Sequence, residues 1–518
     1  MLQLRPIAFL AIASILATCF AHAAPPRLPM LGKARFLVIG PRQFGKVIQP
    51  LIRFKNRTGM AATFVSLEEI RSEWTTDEDD PAKIKRTIWT YAVAKPSPMK
   101  YVMLVGDMSL VPCRRRTVEN LPGNPDALIW RWGYEPAELY YSNLFSTHRA
   151  GADGGVAATT TELSSWDKDG NGHFDEQHWA GDVTTFNPDQ VDGCPDVALG
   201  RVPAHRASDV STFVEKVIRY ESGGDKEPNA GSGVTLCFGK TYEESFDMTR
   251  DIRDQSGVLK SFGAGKVTML GLGYTGSTDL PNGGSDCQFG DLATFRKALG
   301  DSLWVGYLGH GSALGWDARL PNGPKAQGID SRYVLSSDMP DAAPNGRLPI
   351  VFGCGCETGR HAPGLPKDEY LDESGKKHWF WWGDKQKNAV HRVVDADTGD
   401  VFDSQVVIPP PSSYDLPEYQ PRTFATSWLC GSSSKGAIAY FGEELVCQND
   451  MGRDLEIRVL QHLDRSKPTV ILGDAWLAGQ QQYWKDFHAY DGDNCVFRNA
   501  RIYLSVMNFY GDPSLRIH

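Results

Sequence analysis

Two apolar runs decide how this chain folds: Leu303-Trp-Val-Gly-Tyr-Leu-Gly-His310-Gly311-Ser312 and Pro349-Ile-Val-Phe-Gly-Cys354-Gly-Cys356-Glu-Thr-Gly359. Each is rich in β-branched and aromatic residues and stops abruptly in glycine-rich chain. This pattern is typical of a buried strand of a parallel sheet that is followed by a loop. In open α/β sheets, chemistry lies beyond the carboxyl ends of the strands. We therefore predict a functional site where the two strands present a histidine and a thiol side by side.

Strand and helix patterns alternate on both sides of these runs. Before them we predict strands at 34–39, 62–65, 101–105, 196–203, 234–238 and 266–272, and helices at 44–54, 80–93, 207–220, 242–262 and 291–299. After them we predict a strand at 437–441 and helices at 453–463 and 475–487. Asp80 is expected to cap helix 80–93, with Pro81 in its first turn. Ser208 or Asp209 is expected to cap helix 207–220. The order favours an α/β fold with two adjacent subdomains, each a mostly parallel sheet flanked by helices.

The predicted subdomains meet at about residue 185. Residues 24–185 form an N-terminal α/β subdomain and residues 186–518 a catalytic one, and because no Pro/Ser-rich linker separates them we expect a single unit. An irregular stretch at about 360–422 contains Trp379-Phe-Trp-Trp382. Loops of this length inside a domain are usually functional, so we expect an insertion over the active face with aromatic walls for substrate. A satellite hydrophobic cluster is the alternative.

The N-terminus has the features of an export signal. A basic residue precedes the apolar run from Ile7 to Phe20, and Ala21-His-Ala23 has the small-x-small pattern of a signal peptidase site. We predict a signal peptide over residues 1–23 and a secreted or periplasmic mature chain. The run is too short to anchor the chain, and no later segment is long enough for a stable membrane span. Leu16-Ala-Thr-Cys19 resembles a lipoprotein box, but threonine fits it poorly before the cysteine, so lipid attachment is not expected.

Charge and cysteine content narrow the class of function. The 518 residues carry 54 Lys and Arg against 63 Asp and Glu, a net charge of −9, which gives no indication of a nucleic-acid partner. Of the 10 cysteines, Cys19 lies in the predicted signal, so the mature chain keeps an odd number. An odd number in an exported protein leaves at least one thiol unpaired. We therefore expect a reactive or buried thiol.

A glycine-rich loop has the spacing of a calcium site. Asp167-Lys-Asp169-Gly-Asn171-Gly-His-Phe-Asp175 places oxygen-bearing side chains at alternate positions, with glycine at the sharp turn. The match is partial because His178 stands where an EF-hand has its bidentate glutamate. We predict a structural calcium ion, held by Asp167, Asp169, Asn171 and Asp175, that stiffens a long loop. A plain Asx-rich turn is the alternative.

His310 and Cys356 suit nucleophilic catalysis by a thiol. The thiolate is the nucleophile, and a histidine within hydrogen-bond reach removes the thiol proton and later donates a proton to the leaving amine. Backbone N–H groups of Gly311 and Cys356 are candidates for the oxyanion site, because glycine lets the chain approach closely. Asp196, at the start of its own strand, is the first choice for a carboxylate that fixes the histidine tautomer.

Two alternatives involve the second thiol, Cys354. Cys354 is expected within the strand, whereas Cys356 lies in the turn and is better exposed, so Cys356 is the preferred nucleophile. The two thiols together with His361, His378 or His391 would also offer ligands to a metal. No second Cys-x-x-Cys or His-x-x-x-His supports a catalytic metal, and we predict none.

The order of several motifs resembles the gingipain family of cysteine peptidases. The motifs are Tyr101-Val-Met-Leu-Val-Gly-Asp107, Asp196 through Pro203, Gly309-His310-Gly311, Cys356-Glu-Thr-Gly359, Gly436-Ala-Ile-Ala and Gly511-Asp-Pro-Ser-Leu-Arg-Ile517. A thiol about 50 residues after a histidine is also the caspase-type order. The resemblance implies a caspase-like three-layer fold, endopeptidase activity on proteins or peptides, and calcium sites. It also implies Cys356 as the nucleophile, His310 as its partner and Asp196 as the acidic residue.

Other features depart from the best-known gingipains. Those proteins carry further domains after the catalytic unit, which we do not expect here. This chain also differs from them at Cys354, next to the candidate nucleophile, and in the aromatic insertion. They cleave after Arg or Lys, which an acidic pocket explains; Asp209 is our candidate for that pocket, and a helix N-cap is the alternative. The expected function is an exported cysteine endopeptidase. A catalytically inactive, calcium-stabilised binding protein and a metal-dependent hydrolase are the alternatives.

Overall fold

One sheet of eleven strands organises the molecule. The structure is a computed structural model, and it describes residues 26–119, 134–151, 155–178, 189–223, 233–240, 244–254, 266–312, 315–316, 334–335, 348–361, 367–371, 377–381, 393–394, 401–402, 423–445, 449–464, 466–467, 469–488 and 503–517. The predicted signal peptide and most of the predicted insertion at 360–422 lie outside these ranges.

We number the strands of the sheet β1 to β11 in chain order. They are Phe36–Gly40 (β1), Ala62–Ser66 (β2), Tyr101–Val105 (β3), Ala198–Val202 (β4), Gly233–Gly239 (β5), Val267–Leu272 (β6), Gln288–Gly290 (β7), Ser302–Leu308 (β8), Ile350–Cys354 (β9), Ala439–Glu443 (β10) and Met507–Tyr510 (β11). In space their order is β7-β6-β5-β8-β9-β10-β11-β4-β3-β1-β2.

The sheet consists of two parallel halves joined by one antiparallel pair. The first half contains β1 to β4 and β11, and neighbouring strands within it run parallel. Neighbours within β5 to β10, the second half, also run parallel. Only β10 and β11 pair antiparallel among these strands, with Tyr440 opposite Tyr510 and Glu443 opposite Met507. The carboxyl ends of the two halves therefore lie at opposite edges of the sheet.

Helices flank the sheet, as the alternation of patterns predicts. They are Gly45–Arg57 (α1), Leu67–Glu73 (α2), Asp80–Val93 (α3), Leu139–Ser142 (α4), Ala207–Ser222 (α5), Glu244–Asp254 (α6), Leu292–Asp301 (α7), Phe424–Cys430 (α8), Asn449–His462 (α9) and Leu472–His488 (α10), with 3-10 turns at Arg42–Phe44, Ser277–Asp279 and Pro281–Gly284. Short strands lie at Arg114–Glu119, Tyr134–Ala137, His148–Ala150, Val156–Ala158, Gln177–His178, Gly311–Ser312, Gly315–Trp316, Val334–Leu335, Lys367–Leu371, Lys377–Trp381, Val393–Val394, Val401–Phe402, Val470–Ile471 and Arg516–Ile517. The mostly parallel α/β architecture is confirmed.

The expected boundary and the expected helix cap differ from the structure. Strand β4 pairs in parallel with β3, so a boundary at residue 185 separates β4 from the half to which it belongs. Helix α5 begins at Ala207 with Arg206 as its N-cap residue and no side-chain cap bond. Ser208 and Asp209 therefore lie inside the first turn, and the prediction that either is the N-cap is wrong.

The strands around the predicted site are buried on both faces, which explains their continuous apolar runs. Every residue of β8 and β9 is buried. On one face, Trp304 stacks on Phe352 at 5.9 Å between ring centroids, and Phe352 stacks on Phe441 at 5.3 Å. On the other face, Tyr307 stacks on Trp316 at 4.3 Å. These aromatic contacts hold β8, β9 and β10 together as a rigid floor under the loops that follow them.

A buried ion cluster attaches the end of the chain to the first half. Lys55 on α1 lies 2.7 Å from Asp512 and forms a second ion pair with Glu221 on α5, and all three side chains are almost fully buried. The backbone N–H of Arg516 donates to Glu221 at 3.1 Å. The predicted terminal motif thus contributes charge to the core of the first half.

No helix in the described ranges is long and apolar enough to cross a membrane.

Several cysteines in the described part of the chain are buried thiols outside any disulfide. They are Cys113, Cys194, Cys237, Cys287 and Cys354. The expectation of an unpaired thiol is therefore confirmed.

Candidate active site

His310 and Cys356 lie in two loops that follow adjacent strands, at equal distances in sequence from the strand ends. Strands β8 and β9 pair in parallel up to Leu308 opposite Cys354, and each of the two candidate residues comes two positions later. The backbone N–H of Gly309 still donates to Cys354 O at 3.1 Å, so the loops begin in contact. His310 is exposed and Cys356 is partly exposed. Both predicted residues are therefore accessible at the carboxyl edge of the second half.

Glycines allow the two loops to touch through their backbones. A Cβ atom at Gly311 would lie 2.4 Å from Thr358 Cγ2 and 3.0 Å from Cys356 O, and one at Gly355 would lie 3.1 Å from Gly309 O. Real Cβ atoms do not tolerate the shortest of these contacts, so a larger residue at Gly311 would push the loops apart. The structure thus brings the chain around His310 against the chain around Cys356.

The turn that carries Cys356 is strained and firmly held. Glu357, directly after the cysteine, has φ +61°, a left-handed conformation that costs a non-glycine residue about 1–3 kcal/mol. Its N–H donates to Leu445 O at 3.1 Å, and Thr358 Oγ1 donates to Gly355 O at 2.8 Å. The surrounding bonds therefore hold a backbone that the sequence alone would not favour. The oxyanion role of the Gly311 and Cys356 N–H groups stays a prediction.

Cys354 points into the core. Its side chain is fully buried, with Sγ 3.7 Å from the Tyr503 hydroxyl. Desolvation, reinforced by the nearby Glu443 and Glu456 carboxyls, raises the pKa of the Cys354 thiol well above its usual value. A neutral, inaccessible thiol is a poor nucleophile, which favours Cys356 for that role.

Asp196 lies at the same edge of the sheet but binds another histidine. Its carboxylate accepts the backbone N–H groups of Leu144 at 2.7 Å and Phe145 at 3.0 Å, and its other oxygen lies 2.7 Å from His148 Nε2. The opposite ring nitrogen of His148 lies 2.7 Å from Asp192. Although desolvation opposes it, bonding to both carboxylates raises the pKa of His148 to about 9. Both oxygens of Asp196 are thus engaged, and its role beside His310 stays a prediction.

Asp209 lies at the other edge of the sheet. It is a buried residue in the first turn of α5, which follows the carboxyl end of β4. Because the two halves run in opposite directions, that end of β4 is at the edge where β8 and β9 begin. The structure therefore does not bring Asp209 beside His310 and Cys356, and its assignment to a substrate pocket finds no support in this placement.

A buried histidine follows the Cys356 turn and was not predicted in this role. His361 Nδ1 lies 2.6 Å from Glu444 Oε2 and 3.2 Å from the Tyr510 hydroxyl. Its Nε2 lies 3.4 Å from Glu138 Oε1. The sequence suggests His361 only as a metal ligand, because its carboxylate partners, Glu138 and Glu444, lie far away along the chain.

Three carboxylates gather at the predicted calcium loop. Side-chain oxygens of Asp167, Asp169 and Asp189 lie within 4.8 Å of one another. Asp189 is almost fully buried and accepts the N–H groups of Lys168 at 2.7 Å and Glu176 at 3.0 Å. One oxygen of Asp167 is buried without a hydrogen-bond partner among the described residues. A set of hard oxygen donors with an unsatisfied member fits a calcium ion.

The carboxylate trio overlaps the predicted ligands in part. Asp167 and Asp169 belong to it and Asp175 does not, while Asn171, an amide, stays a predicted ligand. Asn171 Oδ1 accepts the N–H of His173 at 2.8 Å, which is a bond within the loop. Glycines at 170 and 172 adopt φ +75° and +86°, as the sharp turn requires. Asp189 was missed because the calcium-loop spacing does not extend that far along the chain.

Comparison with known proteins agrees with this architecture. The model of Peptidase family C25 matches residues 31–390, more than half of the chain. The chain belongs to peptidase family C25. Members of this family are cysteine peptidases, and this chain is accordingly a gingipain-type peptidase by descent. A search of curated proteins finds no match.

Solved gingipain structures share the fold of this C25 chain at low sequence identity. The complex of the pro- and mature domains of RgpB from Porphyromonas gingivalis is 15% identical, with TM-score 0.52, over 94% of this chain and 80% of that one. The Arg-specific cysteine proteinase gingipain R (RgpB) is 14% identical, with TM-score 0.52, over 95% and 80%. A structure described as a protease is 14% identical, with TM-score 0.53, over 94% and 78%. These similarities establish the caspase-like fold.

Proposed function

We propose that this C25 family member is an exported cysteine endopeptidase in which Cys356 is the nucleophile and His310 its acid–base partner. The contact between the loops that follow β8 and β9 is the observation that carries the proposal. This contact supports a histidine and an accessible thiol as neighbours at the carboxyl edge of the second half of the sheet. The second thiol, Cys354, is buried.

The proposed reaction begins with transfer of the Cys356 thiol proton to His310. The thiolate sulfur attacks the carbonyl carbon of the scissile peptide, a C–S bond forms, and an electron pair moves to the oxygen, where backbone N–H groups stabilise it. When this intermediate collapses, the C–N bond breaks and His310 gives its proton to the leaving amine. Water then attacks the thioester; His310 takes a proton from the water and returns one to the sulfur, which releases the carboxylic acid.

Calcium is proposed as a structural ion at Asp167, Asp169 and Asp189. The ion would offset most of the negative charge of three neighbouring carboxylates and supply a partner for the buried oxygen of Asp167. Asp189 already accepts backbone N–H groups of the loop, so it would link the loop to the chain that follows. No step of the peptide cleavage involves this site.

Export is proposed from the N-terminal signal pattern, and proteins or peptides are the proposed substrates. The aromatic insertion at about 360–422 is the proposed source of specificity, since it follows directly on the Cys356 turn. No preference for Arg or Lys is proposed, because Asp209, the candidate for an acidic pocket, lies at the far edge of the sheet.

One observation favours a second candidate, the catalytically inactive binding protein. Asp196, the carboxylate expected to orient His310, is engaged by His148 and two backbone N–H groups. A carboxylate whose two oxygens are already bonded to other groups is less available to orient a catalytic histidine. The two candidates differ in whether Cys356 turns over substrate.

The experiment that separates them is digestion of a peptide library with mass-spectrometric readout. We expect cleavage by the wild-type protein, none by Cys356→Ala, and retained cleavage by the matched control Cys354→Ala. The proposal fails if Cys356→Ala cleaves like the wild type, or if the wild type neither cleaves any peptide nor reacts with a thiol-directed acyl inhibitor. The second result would favour the binding-protein alternative.

A further inference from the structure

The turn that carries Cys356 is tied to strands β10 and β11 through Gly359. The N–H of Gly359 donates to Glu443 O at 2.7 Å, and the Tyr510 hydroxyl donates to Gly359 O. A Cβ atom at Gly359 would lie 2.4 Å from Gly442 O, so the turn runs directly against the backbone of β10. The tie is thus made at the joint between the two halves of the sheet.

His361, two residues later, reaches across that joint. Its ring is fully buried and lies between Glu444, which follows β10 in the second half, and Glu138, which precedes α4 beside the first half. Glu138 in turn lies 2.7 Å from Arg201 on β4. Arg201 Nη1 donates to Gly106 O at 2.7 Å and to Val111 O at 2.9 Å. A continuous polar path therefore runs from the Cys356 turn into the first half.

The charges on this path balance only when His361 is protonated. Two buried carboxylates, Glu138 and Glu444, face two cations, Arg201 and the His361 imidazolium. Desolvation disfavours a charged ring, but Glu444 and Glu138 prevail and raise the pKa of His361 to about 9. Desolvation likewise disfavours a charged Glu138, but Arg201 and His361 lower the pKa of Glu138 to about 2. Removing one partner of such a buried set leaves an uncompensated charge.

We propose that His361 is a positioning residue that locks the Cys356 turn onto the first half of the sheet, an inference that rests on the proposed role of Cys356. The turn contains a strained residue, so it stays in place only while its anchors hold it. Loss of the His361 bridge lets the turn relax, which moves the Cys356 thiol away from His310. The thiolate then loses its partner, and the reactivity of the Cys356 thiol falls toward that of an ordinary cysteine side chain.

The test measures the reactivity of Cys356 in folded protein rather than peptide cleavage. Iodoacetamide is reacted with the full chain between pH 5 and 10, and modification of Cys356 is followed by mass spectrometry. The variants are His361→Gln, which removes the imidazolium, and Tyr510→Phe, which removes only the hydroxyl that bonds Gly359 O and Glu444. The titratable and charged groups that face His361 stay in place in His361→Gln; they are Glu138, Glu444, Arg201 and Tyr510.

His205→Gln is the matched control. His205 also forms a histidine–carboxylate pair, 2.8 Å from Asp107, but it lies after the carboxyl end of β4, at the edge away from Cys356. Any general loss of stability from breaking such a pair should appear in the control as well. Circular dichroism and urea unfolding report the folded state of each variant.

We expect the Cys356 thiol to titrate below the ordinary value of about 8.5 in the wild type and close to it in both variants. At pH 7 the alkylation rate should fall about tenfold in the variants and stay unchanged in His205→Gln. A purely structural role would lower the urea midpoint while leaving the rate and its pH profile as in the wild type.

Wild-type alkylation kinetics in a folded His361→Gln protein would overturn the inference, as would a wild-type thiol that already titrates near 8.5. If His361→Gln does not fold, Tyr510→Phe decides in the same way. Failure of the proposed peptidase function is a separate result: the wild type cleaves no peptide, yet Cys356 reactivity still depends on His361.

Discussion

Glu456 on α9 is a buried carboxyl group whose replacement should change how stability depends on pH. It is fully buried, and its Oε1 accepts the Trp304 indole N–H at 2.7 Å. Its Oε2 is buried without a hydrogen-bond partner in the described part of the chain. A Cβ atom at Gly306 would lie 2.5 Å from Oε1, so the carboxyl group packs directly on β8. Desolvation outweighs the Trp304 bond and raises the pKa of Glu456 to about 8.

The raised pKa sets both the sign and the size of the effect. The folded protein binds this proton more tightly than the unfolded chain, whose carboxyl has a pKa of 4.5. The stabilising contribution is therefore complete below about pH 4.5 and is lost as the pH rises to about 8. At about 1.4 kcal/mol per pKa unit, the loss is on the order of 5 kcal/mol. Glu456→Gln removes this pH-dependent loss of stability, because an amide does not ionise. The same substitution lowers stability by about 1–3 kcal/mol, since it buries an amide N–H₂ group without a partner.

Urea unfolding of the wild type and Glu456→Gln at pH 5 and pH 9 checks this prediction. At pH 5 the variant should be the less stable protein, and at pH 9 the more stable one by about 2–4 kcal/mol. Glu443, whose pKa burial also raises to about 8, remains in both proteins, so the difference between them isolates Glu456. Exposed Glu215→Gln is the control. An equal stability difference at the two pH values would refute the reasoning.

Three further predictions concern the site, the loop and the end of the chain. Gly311→Ala should push its Cβ onto Thr358, separate the two loops and lower peptide cleavage about a hundredfold with little change in the urea midpoint; unchanged cleavage would contradict the loop contact. Chelation of calcium should lower the melting temperature of the wild type and not that of Asp189→Asn, and an equal response of the two would remove Asp189 from the site. Lys55→Met should cost about 3–5 kcal/mol in urea unfolding because it leaves the buried carboxylates of Glu221 and Asp512 without their cation; a cost below about 1 kcal/mol would argue against the ion cluster.

Much of the fold was predictable because buried parallel strands carry a strong local signal. Strand β3 was predicted at its observed bounds, and the helix ending at Val93 was predicted with its first-turn proline. The observed N-cap is Asp79, one residue earlier than predicted, because its side chain accepts the Ala82 N–H at 3.0 Å. Such one-residue differences are expected where several acidic residues compete for a cap.

Strand β11 could not be predicted in its role from local pattern. Met507-Asn-Phe-Tyr510 is short, and nothing in it signals that it lies in the middle of the sheet and runs against β10. Only the pairing of residues far apart in the chain reveals that reversal.

The site was predictable where neighbouring strands determine it and unpredictable where distant residues do. His310 and Cys356 follow from the ends of β8 and β9, which pair directly. The partner of Asp196 is His148, in a separate loop, and the partners of His361 are Glu444 and Glu138. No spacing rule connects such residues, because the fold alone decides which of them meet.

The position of β11 has a consequence for how this protein is made. Every other strand of the sheet precedes β11 in the chain, yet β11 lies between β10 and β4. During synthesis, β4 and β10 therefore emerge with one edge unpaired until their common neighbour is made. Unpaired edges of this kind invite association with other chains. Completion of the sheet thus depends on contacts between residues hundreds of positions apart. We therefore expect the newly made chain to fold slowly and to need protection from aggregation until β11 is in place.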